Sequence, residues 1–69
     1  DNNHMKILLA QVMYEKNISI RQLSLKSGVP KSTIQDDMNE DSNPKIRTLE
    51  KLAIALNCQI TDLFETNIK

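Results

Sequence analysis

Apolar residues in this chain fall at helical spacing almost from end to end. Nowhere do they alternate with polar ones over the length of a strand, and that property points to an all-α fold. Met5, Leu8, Leu9 and Val12 stand at i, i+3, i+4 and i+7 and predict a first helix from Met5 to about Lys16, which Asn17, tolerant of left-handed backbone, then stops. Ser19 is suited to cap a second, short helix that turns Ile20, Leu23 and Ser24 inward and Arg21, Gln22 and Lys26 outward. That helix ends at Gly28, the one glycine of the chain, where a C-terminal cap needs positive φ. Val29-Pro30 can open a third helix, because proline lacks the N–H that a first turn leaves unused, and Ile34 is its inward anchor. Asn39 to Lys45 is a polar loop punctuated by Ser42-Asn43-Pro44. Ile46, Leu49, Leu52, Ala53 and Leu56 restore the helical period up to Asn57, and Ile60, Leu63 and Phe64 fill a last turn. The expectation is five short helices and no sheet.

At 69 residues there is room for one small domain. The lone Cys58 cannot close an intramolecular disulfide, and with the single His4 it cannot complete a four-ligand zinc site. A reducing, cytoplasmic setting and no cofactor are expected. Hydrophobic residues at 39% and charged residues at 26% exclude a disordered chain. The longest strongly apolar run, Ile7 to Ala10, is too short for a membrane span, and no signal peptide is discernible. Asp1 to His4 precede a Met and read as a cloning remnant, so the single domain is expected over 5–69. Nine Lys plus Arg balance nine Asp plus Glu, and any argument for a nucleic-acid partner must therefore come from where the charges lie.

Two short helices joined by a tight glycine turn form the unit that can set its second helix in a DNA major groove. The stretch Ser19 to Ile34, SIRQLSLKSGVPKSTI, resembles the helix-turn-helix of the Cro and phage-repressor-like family, also called the Xre family. Asn43-Pro44, the run TLEKLAIALN from Thr48 to Asn57, and ITDLF from Ile60 to Phe64 resemble that family's fourth helix and closing turn, in order and at the usual separations. The resemblance implies a lambda-repressor-like domain of five helices that binds double-stranded DNA as a homodimeric transcriptional regulator, probing the major groove with a recognition helix at about 30–38. By the same resemblance Lys31, Ser32 and Thr33 meet base edges and phosphates, Asp36 follows one turn on, and Ser19 contacts a phosphate. Gln35 and Asn43 are further candidates. The chemistry suits these roles, since a lysine donates to guanine or phosphate and the Thr33 methyl can meet thymine. Exposed apolar residues near Ile60 to Ile68, with Phe64 and Ile68 named, are the candidate dimer contact, and Phe64 is either its anchor or part of the core.

Charge placement divides. Arg21, Lys26 and Lys31 are the charged residues between Ser19 and Gln35, with no acid among them, so this surface can be positive within a neutral protein. Asp36, Asp37, Glu40 and Asp41 follow, and a phosphate would repel each of them. They favour an alternative, a helix-turn-helix module that docks a protein partner through 36–41. As a calcium loop the segment fails, with Ser42 and Thr48 where Gly and Glu are required. Asp37 falls where the family usually carries Ile or Leu; burying it unpaired would be costly, so a one-residue shift that lets Met38 take the inward position, or a frayed helix end at Asp37, is expected. Glu40 stands at a frequent glycine position. Met13 and Met38 occupy positions where many members carry an Arg and Glu ion pair, a coherent exchange of two charges for two thioethers. Cys58 is expected to fill the core. No nucleophile, base and orienting group come together in the sequence, and no Gly-rich phosphate loop occurs, so catalysis and a small-molecule ligand are not expected.

Overall fold

The computed structural model describes residues 4–67. Strand β1 (His4–Ile7) leads into four helices, α1 (Leu9–Glu15), α2 (Ile20–Ser27), α3 (Lys31–Asp37) and α4 (Ile46–Leu56). A 3₁₀ turn (Ile60–Leu63) and strand β2 (Phe64–Asn67) follow. β1 and β2 pair antiparallel, with His4 opposite Asn67, Met5 opposite Thr66, Lys6 opposite Glu65 and Ile7 opposite Phe64.

The helical expectation holds in the middle of the chain and fails at both ends. Among the described residues there are four α-helices, one 3₁₀ turn and a two-stranded sheet instead of five helices and no sheet. Met5, Lys6 and Ile7 lie in β1 and not in the first helix, and His4, set aside as a remnant, is the first residue of that strand. The reason is tertiary. The Ile7 N–H donates to the Glu40 carbonyl at 3.0 Å and the Leu8 N–H to the Leu63 carbonyl at 2.8 Å. Backbone groups that a longer helix would satisfy locally are thus satisfied by distant chain, and apolar spacing in the first dozen residues carries no trace of it.

The helix stops are legible and physical. Asn17 (φ 56°) and Asn57 (φ 57°) both adopt the left-handed conformation. After α1, the Asn17 N–H reaches the Tyr14 carbonyl at 3.1 Å and the Ile18 N–H the Met13 carbonyl at 3.0 Å. After α4 the same pair recurs, Asn57 to Ile54 at 3.1 Å and Cys58 to Ala53 at 3.0 Å. Both are Schellman closures, which satisfy carbonyls a helix end would leave open.

The core gathers Ile7, Leu9, Met13, Leu23, Val29, Ile34 and Leu63 around Leu49, Leu52, Ala53 and Leu56 of α4. α4 is the centrepiece, packed against α2 on one side and the 3₁₀ turn on the other. Ile46, expected inward, is 68% exposed: it is the first residue of α4 and lies beyond the reach of the layer that covers Leu49. No helix among the described residues is long and apolar enough to cross a membrane.

Candidate nucleic-acid interface

The turn between α2 and α3 is held at each step. Ser19 Oγ accepts from the Gln22 N–H at 3.1 Å while Gln22 Oε1 accepts from the Ser19 N–H at 2.9 Å, a reciprocal capping box at the start of α2. At the other end Gly28 takes φ 77° and its N–H bonds the Ser24 carbonyl at 2.9 Å. A Cβ at Gly28 would meet nothing within 4 Å, so glycine is needed there for its backbone angle and not for space. Ser24 Oγ donates to the Val29 carbonyl at 2.7 Å, and Ser27 Oγ accepts from the Val29 N–H at 3.1 Å. With Val29 buried and Pro30 fixed at φ −57°, the chain enters α3 on a defined line. The helix begins at Lys31, one residue after the proline.

α3 is two-sided. Ile34 and Asp37, three residues apart, face the core, while Lys31, Ser32, Gln35 and Asp36 are exposed on the other face. Thr33 lies between, half-buried, and lines a cleft with Asp37, Asn43, Pro44, Lys45 and Thr48. The candidates therefore fall into three places. Lys31, Ser32, Gln35 and Asp36 share the solvent face of α3. Thr33 and Asn43 share the cleft beside it. Ser19 borders a separate depression formed with Met13, Tyr14, Asn17, Ile18 and Gln22, and its oxygen already serves the cap. Lys45 was not singled out from the sequence. It is the N-cap of α4, with extended backbone and no side-chain cap over the first N–H groups of that helix, so a cation and a positive helix end border the cleft together. The signal available was its place just after Asn43-Pro44 and just before the helical period.

The acidic segment is less acidic at its surface than its sequence. Asp37 is 7% exposed, and its Oδ2 has no hydrogen-bond partner among the described residues. Burial first, and the neighbouring Asp36 charge second, push its carboxyl above the usual aspartate range. Met38 is half-buried against the core as well, so the expected choice between the two is not made: both turn in. Glu40 Oε2 lies 3.8 Å from Lys6 Nζ, an exposed pair worth little to stability. The turn that glycine often makes is built by Asn39, whose Oδ1 accepts from the Asp41 N–H at 2.8 Å and whose carbonyl accepts from the Ser42 N–H at 3.0 Å. Asp36 stays on the exposed face of α3.

Other candidates settle elsewhere. Met13 is buried, and Cys58 is half-buried against the core. Burial, with the Asp62 charge next and Lys16 opposing, pushes the Cys58 thiol up, which disfavours its thiolate. Phe64 is half-buried against the core and sits opposite Ile7 in the sheet. Ile68 lies outside the described residues.

Comparison with known proteins agrees with this geometry. Residues 9–69 match the family model described as the Cro/C1-type HTH DNA-binding domain. The chain is also 30% identical over 63 residues to the SPbeta prophage-derived uncharacterized HTH-type transcriptional regulator YopS of Bacillus subtilis (strain 168), an alignment covering 90% of this chain and 85% of that protein. No solved structure matches it. With a capped α2, a left-handed Gly28 turn and an α3 that keeps one polar face clear of the core, the chain belongs to the Cro/C1-type helix-turn-helix DNA-binding domains.

Proposed function

We propose that this protein is a sequence-specific transcriptional regulator, acting as a repressor, that binds double-stranded DNA in the cytoplasm as a homodimer. The observation that carries the reading is the exposed face of α3, where Lys31, Ser32 and Gln35 stand together clear of the core. On that face Lys31 donates to a guanine edge or a phosphate, and Ser32 and Gln35 hydrogen-bond bases or backbone. In this reading Thr33 and Asn43, which line one cleft with Lys45 at the open start of α4, meet the adjoining phosphate strand. The relative's description as a transcriptional regulator supports the same role. Two copies are required by affinity: one seven-residue helix makes few contacts, and two linked half-sites multiply them. Phe64 and Ile68 are the proposed contact between copies.

The alternative, docking of a protein through 36–41, loses ground to two observations. Asp37 is turned into the core and Glu40 toward Lys6, so the segment presents fewer free carboxylates than its sequence promises. The deciding experiment is selection of bound duplexes from a random library at low salt. Enrichment of a two-fold symmetric site, with half-sites about one helical turn apart, supports the regulator. A folded protein that enriches nothing refutes it.

A further inference from the structure

Oδ2 of Asp37 is the one buried polar side-chain atom among the described residues left without a hydrogen bond, and it sits on the helix that the proposed function uses. It lies in the last turn of α3 and lines the cleft shared by Thr33 and Asn43. Little holds this end of the helix. The Met38 N–H bonds the Ile34 carbonyl at 2.9 Å, the Asn39 N–H bonds the Asp36 carbonyl at 3.3 Å, and Ser42 Oγ donates to the Asp37 carbonyl at 3.2 Å. An ionised carboxylate with no partner is unfavourable in such a place, whereas a neutral one is tolerated.

We propose that Asp37 is a proton-operated switch on α3: with its carboxyl neutral, the end of the helix seats on the core, and with it ionised, that end and the 38–45 loop lift toward solvent and part Thr33 from Asn43. The charged surroundings fit two states. On α3 itself Asp36 is a like charge that disfavours ionisation. From the loop, Lys45 is the one cation bordering the cleft, available to the carboxylate once it leaves its seat, while Glu40 is turned toward Lys6 and Asp41 anchors its N–H on Asn39. α4 faces the cleft with the neutral Thr48, and α2 packs on α3 with its Arg21 and Lys26 exposed. The Lys6 to Glu40 pair and the bond from Ile7 N–H to the Glu40 carbonyl tie the same loop to β1, so release is felt there too.

The sign follows from linkage. A carboxyl that holds its proton more tightly folded than unfolded stabilises the seated state fully below the unfolded pKa. That contribution falls as pH rises through the folded pKa and is gone above it. Each unit by which the carboxyl's pKa in the seated state exceeds that in the released state changes the seated-to-released ratio by about tenfold across the titration. The consequence for DNA, which rests on the reading of α3 as the base-contacting helix, is tighter binding in mild acid.

The test titrates the Asp37 carboxyl carbon by NMR in the intact protein and compares melting temperature and amide exchange, corrected for intrinsic rates, in wild type and Asp37→Asn from about pH 4.5 to about 7.5. The expected result is a midpoint for Asp37 above that of the exposed Asp36, with protection of amides 38–42 lost as pH rises in wild type and retained in the variant. A midpoint at or below that of Asp36, or identical pH profiles in the two proteins, overturns the switch; the first of these needs no variant to fold. Duplex binding is then followed over the same pH range at fixed ionic strength. A loss of affinity confined to wild type supports the regulatory consequence, and equal loss in both proteins overturns it. If neither protein binds any duplex, the DNA reading fails while the titration and exchange data still judge the switch.

Discussion

Helix α4 spans eleven residues and turns Leu49, Leu52, Ala53 and Leu56 into the core, whereas α3 spans seven and turns in Ile34 and a carboxylate. The two helices are also closed differently. Asn57 ends α4 in a left-handed cap with two backbone bonds, while α3 runs out through Met38 into a loop bonded by Asn39 and Ser42 side chains. Burying a leucine contributes about 1.5–3 kcal/mol, so α4 supplies much of the domain's stability and α3 little. The two helices divide the labour. The helix with an open polar face is held in place by its neighbours, and the helix that holds the fold turns four apolar side chains into the core.

That comparison can be broken most forcefully at Leu52, which is fully buried on α4. Leu52→Ala is expected to cost about 2–5 kcal/mol, enough to unfold much of so small a domain, as read by urea denaturation. Lys31→Ala on α3 is the mirror experiment: duplex binding weakens by about 1–3 kcal/mol while denaturation stays within about 0.5 kcal/mol of wild type. If Lys31→Ala instead lowers stability and leaves binding intact, the division of labour is wrong. Ser19→Ala removes the capping box of α2 and is expected to cost about 1 kcal/mol, seen as a lower melting temperature. Smallest is Glu40→Ala, which should change stability by less than about 1 kcal/mol and less still at high salt, because its partner Lys6 is exposed.

Legibility tracks how local each determinant is. Ser19, Gly28, Asn17 and Asn57 were readable as helix starts and stops, since capping depends on one side chain and the few backbone groups next to it. Leu23, Ile34, Leu49, Leu52 and Leu56 were readable as core from their period. Ile46 was not, because periodicity assigns a face and says nothing about where the covering layer ends. For the candidate interface, Lys31, Ser32, Gln35 and Asp36 came from the resemblance to the family's recognition helix, and the structure has all four exposed. The cleft was not legible, because Lys45 and Thr48 reach it only through the fold of the 38–45 loop.

Four helical segments, the caps and stops at Ser19, Asn17, Gly28 and Asn57, and the family are written in short-range patterns that each segment carries alone. That His4–Ile7 is a strand and that Asp37 is buried follow from the closed fold. The strand exists because its backbone groups find Phe64–Asn67, Glu40 and Leu63, which are near it only once the chain has closed. Asp37 is covered because the 38–45 loop and the start of α4, distant in sequence from the middle of α3, are brought by the fold to line the cleft around it.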